Sequence, residues 1–77
     1  MLKIKNNINL EKLKEYGFSY TEKDYRKSNF NMLLSIGYNR ELNINCDDDY
    51  FDVDIIECVE WIYDLFQAGL VEKVSED

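Results

Sequence analysis

Histidine is absent from the 77 residues. That removes the commonest general base, the commonest zinc ligand and every Ser-His or Cys-His catalytic pair. Proline is absent and glycine occurs 3 times, and no linker, repeat or low-complexity stretch divides the chain. The only cysteines are Cys46 and Cys58, without Cys-x-x-Cys spacing, which points to two buried free thiols rather than a disulfide. No apolar run approaches the ~20 residues of a membrane span. The first residues also lack the apolar core and cleavage site of a signal peptide. Together these features point to a cytoplasmic, reduced protein.

What is present suits a packed core. At 9.2 kDa with 45% hydrophobic residues, the chain is expected to form one small α+β domain over residues 1–77 and not a disordered segment. Nine Lys/Arg stand against 16 Asp/Glu, a net charge of -7, which sets it against nucleic acids and anionic membranes. The charge is unevenly divided. Residues 1–27 carry seven bases and four acids, whereas residues 28–77 carry two bases and twelve acids.

Periodicity supplies the elements. Leu2-Lys3-Ile4-Lys5 alternates as a short strand with Leu2 and Ile4 inward. Asn9 is placed to cap a helix over about residues 10–16, Ile8 and Leu13 have staple spacing, and Gly17 stops it in a left-handed conformation before Phe18. A strand is expected within Asp24–Lys27. Phe30, Met32, Leu34, Ile36 and Tyr38 share one face of a second, and Leu42, Ile44 and Cys46 one face of a third, joined by a turn at Asn39-Arg40 with Asn39 the residue suited to positive φ. From Val53 to Ala68 the spacing predicts a long amphipathic helix. Asp54 and Glu57 form a capping-box variant, Gly69 and Leu70 form the closing motif, and Val71–Val74 is a short extended tail. Its apolar stripe holds Ile55, Cys58, Val59, Ile62, Leu65, Phe66 and Gly69. The expected architecture is strand, short helix, an antiparallel sheet of about three further strands, then a long C-terminal amphipathic helix packed on one sheet face.

The acid run Asp47, Asp48, Asp49, Asp52, Asp54 fails as a calcium loop. Counted from Asp47, Phe51 falls at a ligand position, Asp52 at the invariant glycine and Cys58 at the closing glutamate. A solvated approach to a helix N-terminus, where acids are favoured by the dipole, is the better reading of the run. More unusual is the outer helix face, where Glu57, Glu60 and Asp64 align at spacings of three and four with no Lys or Arg between Val53 and Gly69. Such a face is either a solubility device or a docking surface for a basic partner. Trp61, at the edge of the stripe, and Tyr50, in the acid run, are candidate anchors. Aromatics interleaved with bases (Tyr16, Tyr20, Tyr25 and Phe30 with Lys23, Arg26 and Lys27) are a weaker pointer to single-stranded nucleic acid. No catalytic residue, cofactor site or metal site is indicated, and the chain reads as a non-enzyme.

Leu2-Lys3-Ile4-Lys5, Leu10-Glu11-Lys12-Leu13, Tyr16-Gly17-Phe18, Asn39-Arg40-Glu41-Leu42 and the stretch Ile62-Tyr63-Asp64-Leu65-Phe66-Gln67-Ala68-Gly69-Leu70-Val71-Glu72-Lys73-Val74 together resemble a group of small proteins. These are encoded by phages, prophages and other mobile elements of low-GC Gram-positive bacteria. The group carries no motif with assigned chemistry, so the resemblance implies a context and no functional residue. In that context small acidic proteins act as stoichiometric inhibitors of host defence nucleases or of transcription and replication machinery, anti-CRISPR proteins and nucleic-acid mimics among them. The expected function is therefore a non-catalytic acidic inhibitor that binds a basic, nucleic-acid-binding host protein through Asp47, Asp48, Asp49, Tyr50, Glu57, Glu60, Trp61 and Asp64. No direct contact with nucleic acid or membrane is expected. The alternatives are a homodimer joined through exposed strand edges or the Trp61 side of the helix, and a single-strand binder using Tyr25 and Arg26.

Overall fold

The computed structural model describes residues 1–46 and 52–74, and of 52–54 the backbone alone. Among the described residues six strands, one 3-10 helix and one α-helix follow in the order β1 (Leu2–Ile4), the 3-10 helix (Leu10–Tyr16), β2 (Ser19–Tyr20), β3 (Asp24–Ser28), β4 (Met32–Gly37), β5 (Leu42–Cys46), α1 (Asp52–Gln67) and β6 (Val71–Lys73). They form a four-stranded antiparallel meander, β2-β3-β4-β5, and a separate two-stranded sheet, β1-β6.

This corrects the expected architecture. The described structure is mostly sheet, in two sheets rather than one. Its α-helix is not the closing element, because the chain continues into β6, which pairs antiparallel with β1 in the register Leu2 to Lys73. α1 touches both β4 and β6. The cause is Gly69, whose φ of 76° turns the chain back at the helix end. The Leu70 N–H then donates to the Leu65 carbonyl at 3.0 Å, so Leu70 and Val71 re-enter the core and carry β6 alongside β1. Residues 71–73 alone show no more than a short extended run; their partner lies at the other end of the sequence.

The short helix is a 3-10 helix, held by Asn9, whose Oδ1 accepts from the Glu11 N–H at 3.0 Å, and closed by Gly17 at φ 88°. With so few turns its stability comes from burial of Leu13 and Phe18 rather than propensity. β4 is the spine of the larger sheet. Met32, Leu34 and Ile36 are buried on one face, and the core adds Ile4, Tyr25, Cys58 and Leu65 from the elements around it.

Two other expectations change. Phe30 and Tyr38 do not continue the inward face of β4: Phe30 is 88% exposed at the tip of the β3–β4 hairpin, and Tyr38 is exposed beyond the strand's end. In the β4–β5 turn the positive φ falls on Arg40 (72°), not Asn39. Asn39 instead uses its Oδ1 to accept from the Glu41 N–H at 3.1 Å. Arg40 is fixed by its guanidinium, which donates to the carbonyls of Lys5 (2.9 Å) and Ile8 (2.6 Å), while its own carbonyl accepts from the Ile4 N–H at 2.8 Å. These bonds and the Lys3–Glu41 bridge tie the two sheets together.

Candidate protein-interaction surface

α1 divides into three strips. Cys58 and Leu65 are buried, with Ile55, Trp61 and Ile62 packed partly against the core. Glu57, Glu60 and Asp64 form an exposed acidic strip. Between the two runs a strip of Ile56, Val59, Tyr63 and Phe66, each between 41% and 59% exposed. Val59 and Phe66 were expected in the core stripe. The apolar arc is too wide for one sheet to cover, so its β5 side stays in water. The 3-4-3 spacing of Ile56, Val59, Tyr63 and Phe66 is the signal that could have identified this strip beforehand.

Among the described residues the acidic strip has no cation of its own. The ion pairs among the described residues are Lys12–Glu15, Lys14–Glu11 and Arg26–Asp24, all in the N-terminal half. The Arg26 hydrogen bond, with a smaller contribution from the Thr21 hydroxyl, holds the Asp24 carboxyl below the usual carboxylate range. Among the described residues no Lys or Arg lies within ion-pair distance of Glu57, Glu60 or Asp64; Glu57 accepts a hydrogen bond from Asn29 Nδ2 at 3.2 Å. Lys27 comes near α1 and is engaged otherwise. Its Nζ donates to the Tyr16 carbonyl at 2.8 Å and sits 5.1 Å from the centre of the Trp61 ring.

Trp61 is thus a partly buried rim residue with a lysine already on its ring. Asp47, Asp48, Asp49, Tyr50 and Phe51 lie outside the described residues, and so does the side chain of Asp54. α1 is under way from Asp52, which puts Asp54 inside the helix rather than at its cap. Among the described residues no three His, Cys, Asp or Glu are grouped to hold a metal, and none of the helices is long and apolar enough to cross a membrane.

The aromatic-basic cluster is distributed differently from a stacking platform. Tyr25 is buried, and Arg26 Nε bonds Asp24 at 2.7 Å. The hydroxyls of Tyr20 and Tyr38 meet at 2.7 Å, which pushes the Tyr38 pKa up to about 12.

Beside α1 lies a groove of about 320 Å³, lined by Met32, Ile44, Cys46, Ile55, Cys58 and Val59. The two thiols differ, contrary to the expectation that both are buried: Cys58 is buried and Cys46 exposed, because β5 is the outer strand of its sheet and α1 does not reach across it. Burial pushes the Cys58 thiol up from its ordinary value. Titration of the folded protein with a disulfide reagent at neutral pH should therefore give one fast equivalent, abolished by Cys46→Ser, and a second only on unfolding. Two fast equivalents would contradict this placement of Cys58. No protein-family model matches the chain, and no curated protein and no solved structure matches it.

Proposed function

We propose that this is a non-catalytic acidic binding module, a phage-type inhibitor that occupies a basic groove on a host nucleic-acid-processing or defence complex, in the manner of anti-CRISPR proteins that mimic nucleic acid. The observation that carries this is the strip Glu57, Glu60 and Asp64, exposed on one rigid helix and left without a lysine or arginine partner among the described residues. Like charges at these spacings cost the helix a few tenths of a kcal/mol per pair, a cost that an external cation would offset. The resemblance to phage and prophage proteins supplies the context, and a cytoplasmic site of action in the host is part of the proposal. Carboxylates on a helix face approximate a row of phosphates, and their field accelerates encounter with a basic surface.

The test is affinity capture from host lysate, followed by binding measurements on the purified partner. Binding should weaken steeply as salt is raised. The triple variant Glu57→Lys/Glu60→Lys/Asp64→Lys should lose about a hundredfold in affinity or more while its circular dichroism is unchanged. A partner held equally well by that variant, or one indifferent to salt, would sink the proposal.

A further inference from the structure

Among the described residues one α-helix, α1, lies over the larger sheet and leaves part of it uncovered. α1 contacts β4, and its Trp61 and Glu57 reach Lys27 and Asn29 on the β3 side. Among the described residues the opposite side of the layer is uncovered. Ile44 lies on the same face of the sheet as Leu34, its partner on β4, yet it is 51% exposed. The groove runs between it and Val59. The strip Ile56, Val59, Tyr63, Phe66 borders that opening and has the spacing of the seam of a helix pair. Taking Ile56 and Val59 as the first two seam positions, Ile55 and Ile62 flank the seam toward the sheet, and Glu60 and Gln67 flank it toward solvent. Glu57 and Asp64 lie one step beyond Glu60.

Charge decides what fits there. With twelve acids and two bases in residues 28–77 and a net charge of -7, a second copy would bring carboxylates against carboxylates along the solvent flank. We propose that the position beside α1, over β5, receives a cationic amphipathic α-helix of a partner protein. Its apolar residues at i, i+3, i+4 and i+7 cover Ile44, Val59, Tyr63 and Phe66, and lysines or arginines on its solvent flank meet Glu60 first, then Asp64. Tyr63 and Phe66 are the aromatic anchors. This rests on the acidic-module proposal above and narrows the partner's basic surface to a helix with a broad apolar face.

The probes are three synthetic peptides: a leucine/lysine peptide with a heptad apolar stripe, a scramble of it that keeps the charge and destroys the stripe, and a leucine/glutamate counterpart of the first. The striped cationic peptide should bind, the scramble at least about tenfold more weakly, and the acidic one not at all. Val59→Ser/Tyr63→Ala, at two exposed positions, should weaken the striped peptide about tenfold and leave the fold and thermal midpoint unchanged. Glu60→Lys should weaken it and flatten its salt dependence. Equal binding of scramble and striped peptide, or indifference to Val59→Ser/Tyr63→Ala, overturns the helix while the acidic module stands. Indifference to Glu60→Lys and to the triple reversal removes the acidic module itself. Failure of every peptide to bind overturns the helix, and so does a dimer in sedimentation that Val59→Ser/Tyr63→Ala converts to monomer, which would make a second copy the occupant.

Discussion

Leu65→Ala should lower the free energy of unfolding by about 2–5 kcal/mol. Leu65 is fully buried and sits where the two sheets share the helix: its carbonyl accepts from Leu70 at 3.0 Å, and the turn it caps delivers Leu70 and Val71 to the core. Truncation leaves a cavity between elements that cannot all collapse on it, since β4 is pinned on both sides by its neighbours. Small domains bury a modest share of their surface, and total stabilities run at about 5–15 kcal/mol, so the loss is a large fraction of what holds the fold. Urea unfolding followed by circular dichroism measures it, with Val59→Ala as the surface control expected within about 0.5 kcal/mol of the parent. A loss under about 1 kcal/mol for Leu65→Ala would mean that the core is not centred where the structure puts it.

The second large effect is expected at Arg40. Its guanidinium donates to two backbone carbonyls, those of Lys5 and Ile8, and hydrogen bonds from a charged donor contribute about 1.5–3 kcal/mol each. Against this stands the left-handed backbone of Arg40, which costs a non-glycine residue about 1–2 kcal/mol. Arg40→Ala loses the bonds and keeps the strain, for a net loss of about 3 kcal/mol. Arg40→Gly loses the same bonds and relieves the strain, so it should be about 1 kcal/mol less damaging than alanine. Arg40→Lys should restore only part of the stability: both bonds come from one nitrogen, Nη1, and the lysine ammonium, on a side chain one atom shorter, falls short of that position. If alanine and glycine prove equal in urea unfolding, the strained backbone at residue 40 is refuted; if both are neutral, the two side-chain bonds are.

Local chemistry was legible in the sequence wherever one residue type performs one task. Asn9 as a cap, Gly17 and Gly69 as left-handed stops, and the alternation of Met32, Leu34 and Ile36 in β4 are of this kind. Pairing across the chain was not. Nothing in Val71-Glu72-Lys73 names Leu2-Lys3-Ile4 as its neighbour, and that one pairing turns an expected single sheet with a terminal helix into two sheets. Exposure was only half legible, because a wide apolar arc gives the direction of the core but not how far the sheet extends over it. Hence Val59, Phe66, Phe30 and Cys46 lie outside, where their spacing suggested inside. The acidic strip was legible from Glu57, Glu60 and Asp64 alone; the apolar strip beside it emerged once the edge of β5 was seen to lie uncovered.

The pairing of β1 with β6 also sets an order of events during synthesis. The meander of β2 to β5 joins neighbours in sequence and can close while the chain is still being made. β1 emerges from the ribosome before any of them, yet its partner is translated last of the six strands. Until then Ile4, fully enclosed in the finished molecule, has no β6 to pair with and cover it. The pairing that closes the smaller sheet, β1 with β6, therefore waits for the last of the described strands.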